Sequence, residues 1–119
     1  MKNTLTTIAV IAIILIANFS QAQEKSKKVE TSEFKVYGVC GMCKTRIENA
    51  ALIKGVKLAE WNKEAQLIKV IYNPTKVTLD DIHKAIAEVG HDTEKVKAAD
   101  EAYNKLPNCC AYRDGASIH

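Results

Sequence analysis

The chain has 119 residues, 47% of them apolar and 26% charged, and its 17 Lys and Arg exceed its 14 Asp and Glu by a formal charge of +3. That length suits one small domain with a modest core, and so slight a positive balance gives no case for nucleic acid as a partner. The unusual component is a set of four cysteines.

Lys2 precedes an apolar run from Ile8 to Ala17, and Ser20-Gln21-Ala22 then places small residues three and one before a cut. This is the pattern of a secretory signal peptide, residues 1–22, cleaved after Ala22. The apolar run is shorter than the roughly 20 residues of a spanning helix. The reading therefore predicts export across the inner membrane into the periplasm, with no membrane attachment after cleavage. All four cysteines would enter an oxidising compartment. Residues 23–32, with Lys25, Lys27 and Lys28, read as a solvated linker.

From Glu33 to Val39, Phe34, Val36 and Gly38 alternate with polar or outward positions, which predicts a strand. A helix follows from Lys44 to Lys54, with Ile47, Ala50, Ala51 and Ile53 inward and Gly55 past its end. Val56 to Trp61 and Leu67 to Tyr72 read as two strands joined by a turn at Asn62-Lys63-Glu64, with Ile68, Val70 and Tyr72 on one face. Asn73-Pro74 stops the second of these. Thr78 caps another helix whose first turn holds Asp80 and Asp81; Ile82, Ala85, Ile86 and Val89 recur at helical spacing, and Gly90 ends it. A last strand is predicted over Thr93 to Val96.

The order β-α-β-β-α-β predicts an α+β fold of the ferredoxin-like kind, a four-stranded antiparallel sheet with two helices on one face. It occupies residues 33–97 and leaves 98–119 as a C-terminal extension. Tyr37, Leu67, Ile71 and Leu58 make the other sheet face apolar, so the tail is expected to pack on that face or its edge.

Cys40-Gly41-Met42-Cys43 lies where the first strand gives way to a helix. Thiols there face unpaired backbone N–H groups and the positive end of the helix dipole, which favour thiolate. Two such sulfurs grip one soft ion, with Cu(I) the first choice and Hg(II) or Zn(II) served by the same chemistry. The rival is thiol–disulfide exchange by the same pair. Oxidoreductases of that kind use a longer βαβ pattern and a proline facing the cysteines; the prolines here are Pro74, at a strand end, and Pro107, in the tail. No paired carboxylates or glycine-rich phosphate loop suggest an enzyme.

The run Val36-Tyr37-Gly38-Val39-Cys40-Gly41-Met42-Cys43-Lys44-Thr45-Arg46-Ile47-Glu48 resembles the metal-binding segment of the heavy-metal-associated domain family. Gly55-Val56, Tyr72-Asn73-Pro74, Ile86 and Gly90 fit the same pattern, so the resemblance covers about residues 33–96. It implies the ferredoxin-like fold, metal ligation by Cys40 and Cys43, and delivery by ligand exchange to a metal-transporting ATPase or another thiol-bearing carrier. Gly38 departs from the family, which usually carries a loop-anchoring methionine there, and this predicts a looser or differently shaped loop.

The resemblance also places His91 beside the metal loop, as a candidate third ligand or as a surface histidine. Cys109 and Cys110 lie outside the family pattern. They are candidate ligands for the first site or for a second ion, or disulfide partners of Cys40 or Cys43. Lys44, Arg46, Lys105 and Arg113 are solvated charges or tuners of a nearby thiol. His83 is expected on the solvated side of its helix, and His119 in a loose terminus.

Overall fold

The computed structural model describes residues 28–119; the signal peptide and most of the linker expected before them lie outside the described residues. Three strands, β1 (Glu30–Lys35), β2 (Val56–Asn62) and β3 (Leu67–Tyr72), form an antiparallel sheet in the order β1-β3-β2. The register pairs Phe34 with Ile68 on one side of β3 and Trp61 with Ile68 on the other, so one inward row runs across the sheet. Of two helices, α1 (Gly41–Ala51) packs on β2 and on α2 (Leu79–Glu88), and α2 meets the sheet where His83 stacks on Phe34. No helix of the described residues is long and apolar enough to cross a membrane.

The alternation in β3 holds as read: Ile68, Val70 and Tyr72 are buried. The α1 stripe holds at Ile47 and Ala51 and the α2 stripe at Ile82 and Ile86, all four fully buried. Helix α2 starts with a complete capping box: Asp81 N–H donates to Thr78 Oγ1, and Thr78 N–H donates to the Asp81 carboxylate, both at 3.1 Å. Such a cap stabilises a helix by about 1 kcal/mol.

Several boundaries differ from expectation: β1 ends at Lys35 rather than Val39, and α1 spans Gly41–Ala51 rather than Lys44 to Lys54. β1 begins at Glu30, so residues 30–32 belong to the strand and not to the linker. The expected fourth strand is reduced to a single bridge, Val36 with Thr93, flanked by backbone bonds Tyr37 N–H to Asp92 O and Glu94 N–H to Lys35 O. The cause is local. Thr93 Oγ1 accepts from the N–H groups of Lys95 and Val96, and Thr93 N–H donates to Val96 O, so the chain turns back where a strand would continue.

The tail is folded onto the domain. It contains the short helix α3 (Asp100–Asn104) and two 3-10 turns, Asn108–Cys110 and Tyr112–Asp114. It packs at the loop end of the domain, where Tyr112 donates to Gly90 O at 2.8 Å and accepts from Asp92 N–H at 2.9 Å. Gly90 sits at φ 101°, and a Cβ there would lie 2.8 Å from Ala102 O, so glycine lets the tail approach the backbone directly. The apolar positions of the open sheet face stay partly uncovered, with Tyr37 and Leu67 exposed.

Candidate metal centre

Cys40 is the N-cap of α1. Its backbone is extended and its Sγ accepts from Cys43 N–H at 3.4 Å, so the thiol takes the place usually held by Ser or Asp. Cys43 is the third residue of the helix, and its Sγ lies 3.2 Å from Cys40 Sγ. The first turn has no acidic side chain to meet the helix dipole, which leaves that role to sulfur.

The tail supplies a third sulfur. Cys110 Sγ lies 3.0 Å from Cys40 Sγ, and the ligand atoms of Cys40, Cys43 and Cys110 are all within 4.8 Å of one another. All three are buried and all four cysteines are free thiols. Cys109 stays half-buried at the rim, 3.9 Å from Cys110 Sγ and 3.7 Å from the sulfur of the exposed Met42.

The three buried thiols divide the proton inventory unequally. Burial raises Cys40, but hydrogen bonds from Cys110, Cys43 and the backbone outweigh it and bring the thiol down to about 7. Burial pushes Cys43 up. Burial, with bonds to Cys43 and Cys40, pushes Cys110 up to about 11, against the Arg46 guanidinium 3.5 Å from its sulfur. Negative charge near neutral pH is therefore centred on Cys40 and shared by two S–H donors, Cys43 and Cys110.

His91 is buried but is not a member of that cluster. Its Nδ1 donates to Tyr37 O at 2.8 Å and its ring stacks on Tyr112, while Nε2 has no hydrogen-bond partner among the described residues. Burial drives its pKa down to about 4. His83 is also buried, contrary to expectation: it stacks on Phe34 at 3.9 Å and its Nδ1 meets Thr93 Oγ1 at 2.6 Å. His119 is exposed, yet its backbone N–H donates to Val39 O at 2.8 Å beside the loop. Lys44 is drawn away from the sulfurs, bonding Glu48 and Trp61 O, and Arg113 serves Asp92 rather than a thiol.

No family model matches the chain. The copper chaperone CopZ of Staphylococcus epidermidis is 39% identical over 53 residues, which take in 44% of this chain and 78% of that protein. The chain belongs to the heavy-metal-associated domain family. Among solved structures, a CopZ metallochaperone superposes with a TM-score of 0.52 at 33% identity, over 54% of this chain and 98% of that one. The N-terminal domain of a potential copper-translocating P-type ATPase from Bacillus subtilis, solved in its Cu(I)-loaded state, gives 0.52 at 31%, over 55% and 84%.

Against that family, Gly38 has a structural explanation. A Cβ at Gly38 would lie 3.0 Å from Trp61 Cη2, 3.1 Å from Trp61 Cζ2 and 3.1 Å from Cys43 Cβ, so the indole fills the space into which a methionine would project. Trp61 is itself held by its Nε1 donating to Val36 O at 3.0 Å. The expected looseness is absent in a second way. Gln66, at φ 59° in the β2–β3 turn, donates to Gly38 O at 2.7 Å and accepts from Gly38 N–H at 3.1 Å. Sequence reading passed over Gln66 because its role depends on that left-handed backbone.

Proposed function

We propose that this chain is an exported carrier of a soft metal ion, Cu(I) before Hg(II) or Zn(II), which it exchanges with thiol-bearing partners such as a metal-transporting ATPase. The observation that carries the reading is the buried meeting of Cys40, Cys43 and Cys110. Three convergent sulfurs suit Cu(I), whereas a structural zinc site wants four ligands and this cluster holds three. One ion at about 2.3 Å from three sulfurs would space them about 4 Å apart, so the thiols need part by only about 1 Å. Likeness to a copper chaperone and to a Cu(I)-loaded ATPase domain supports the same choice. Export rests on the leader-like run at 8–17 and its cleavage pattern.

Cu(I) titration of the reduced chain against a chromophoric chelator tests the reading. One equivalent should bind tightly to the wild type and be lost in Cys40→Ser and Cys43→Ser. Disulfide exchange with insulin, together with no copper retained at micromolar concentration, would replace it with the redox reading.

A further inference from the structure

The three ligating sulfurs proposed above are closed off: Cys43 and Cys110 have no accessible surface and Cys40 retains 4%. A partner thiolate cannot reach an ion there by direct approach. The sulfurs nevertheless form an unbroken series to the surface. Cys43 is 3.2 Å from Cys40, Cys40 is 3.0 Å from Cys110, Cys110 is 3.9 Å from Cys109, and Cys109 is 3.7 Å from Met42 Sδ. Met42 is 54% exposed, the largest exposure among the apolar side chains at this end of the domain.

We propose that Met42 and Cys109 form a second, outer soft-metal site through which Cu(I) reaches and leaves the buried three-sulfur pocket. The inference rests on the copper-binding reading and adds a route to it. Thioether and thiolate are both soft donors. Their position on either side of the tail-to-loop seam makes them the first sulfurs an incoming carrier meets.

Exchange then proceeds without change of oxidation state. The Cys109 thiolate and the Met42 thioether add to a Cu(I) held by a donor thiolate. The copper–donor bond breaks, and the released donor thiolate takes up the proton that Cys109 lost. Cys110 then replaces Cys109, which takes up the proton that Cys110 loses, and the Cys40 thiolate replaces the Met42 thioether, each of these steps making one copper–sulfur bond and breaking one. Cys43 adds last, releasing its proton to solvent, and completes the three-sulfur pocket.

Stopped-flow transfer of Cu(I) from its glutathione complex into the reduced full chain, and back out to a chelator, tests the route. In Met42→Leu/Cys109→Ser, uptake and release should slow together, by about tenfold each. The two single variants should each show part of that loss. Met42 is exposed, and Cys109→Ser at the half-buried rim is a near-isosteric change, so urea unfolding should show both variants folded as the wild type. Wild-type rates in the double variant overturn the outer site while leaving the buried pocket standing. Faster release with unchanged uptake also overturns it, since that marks a mere stabilising contact. No uptake by the wild type overturns the copper reading, and the route with it.

Discussion

Cys110 Sγ sits 3.0 Å from Cys40 Sγ although 70 positions separate the two residues. The contact turns a two-cysteine loop into a three-sulfur pocket, so Cys110→Ser should separate the two designs. Copper should still bind one to one at Cys40 and Cys43. Retention against a chelator should fall about tenfold or more, equivalent to about 1.4 kcal/mol. X-ray absorption should count two sulfurs around copper where the wild type shows three. Equal sulfur counts in both proteins would remove Cys110 from the site.

That third sulfur stays in place only while the tail does, and Arg113 is the main fastening. Its Nη2 donates to Asp92 Oδ1 at 2.6 Å and to Ala98 O at 2.7 Å, its Nε donates to Asp92 Oδ2 at 3.2 Å, and it lies 4.5 Å from the Tyr103 ring centre. Both partners of the ion pair are largely covered, so the bonds are only weakly screened. Arg113→Ala should lower stability in denaturant by about 2 kcal/mol. It should also speed alkylation of Cys110 in the metal-free chain, because local opening of the tail exposes it. Stability and labelling both at wild-type values would show that the tail is held elsewhere.

Acid sensitivity follows from His91. Burial, aided by Arg46 and opposed by the Tyr37 carbonyl and Asp92, brings its pKa from 6.5 to about 4, with Tyr112 stacked on the ring. The unfolded chain therefore binds this proton more readily than the folded one. Stability is full above pH 6.5 and declines as pH falls toward 4, by up to about 3 kcal/mol for the metal-free protein. His83, lowered chiefly by burial, adds loss in the same direction. Asp92, held down by Arg113 against its own burial, adds its loss only at lower pH. Urea unfolding at pH 7, 6 and 5 should show this slope, and His91→Gln should reduce it. A slope that survives the substitution intact would assign it to other groups.

What could be read from the sequence was local. The β3 alternation and the Thr78 cap of α2 each depend on residues within a few places of one another, and each is found as read, whereas α1 starts three residues before the expected Lys44 and so makes Cys40 its N-cap. His83 was misjudged because its cover comes from Phe34 and Thr93, which no helical period reveals. Cys110 reads as a candidate ligand of the first site, but its meeting with Cys40 rests on contacts that no local pattern reveals. Its place is set by Tyr112 against Gly90 and Arg113 against Asp92, contacts some 20 residues apart in a segment too short to show a period. The fourth strand failed because the Thr93 side chain offered its own turn in competition with the sheet edge.

Gly38 and Trp61 give the sharpest test of how this domain differs from its relatives. With the indole 3.0 Å from a prospective Cβ, Gly38→Met forces overpacking and should cost about 2 kcal/mol. Trp61→Leu alone empties the same space and loses the bond to Val36 O, costing about 3 kcal/mol. Combined, the methionine enters the volume the indole vacates, so the double variant should fall short of the summed losses by at least about 1 kcal/mol. Copper retention should follow the same pattern, because Cys43 Cβ is 3.1 Å from that prospective Cβ and is displaced only in the overpacked single variant. Strict additivity in both measurements would mean that the two side chains do not compete for one space, and that the glycine answers to something other than the tryptophan.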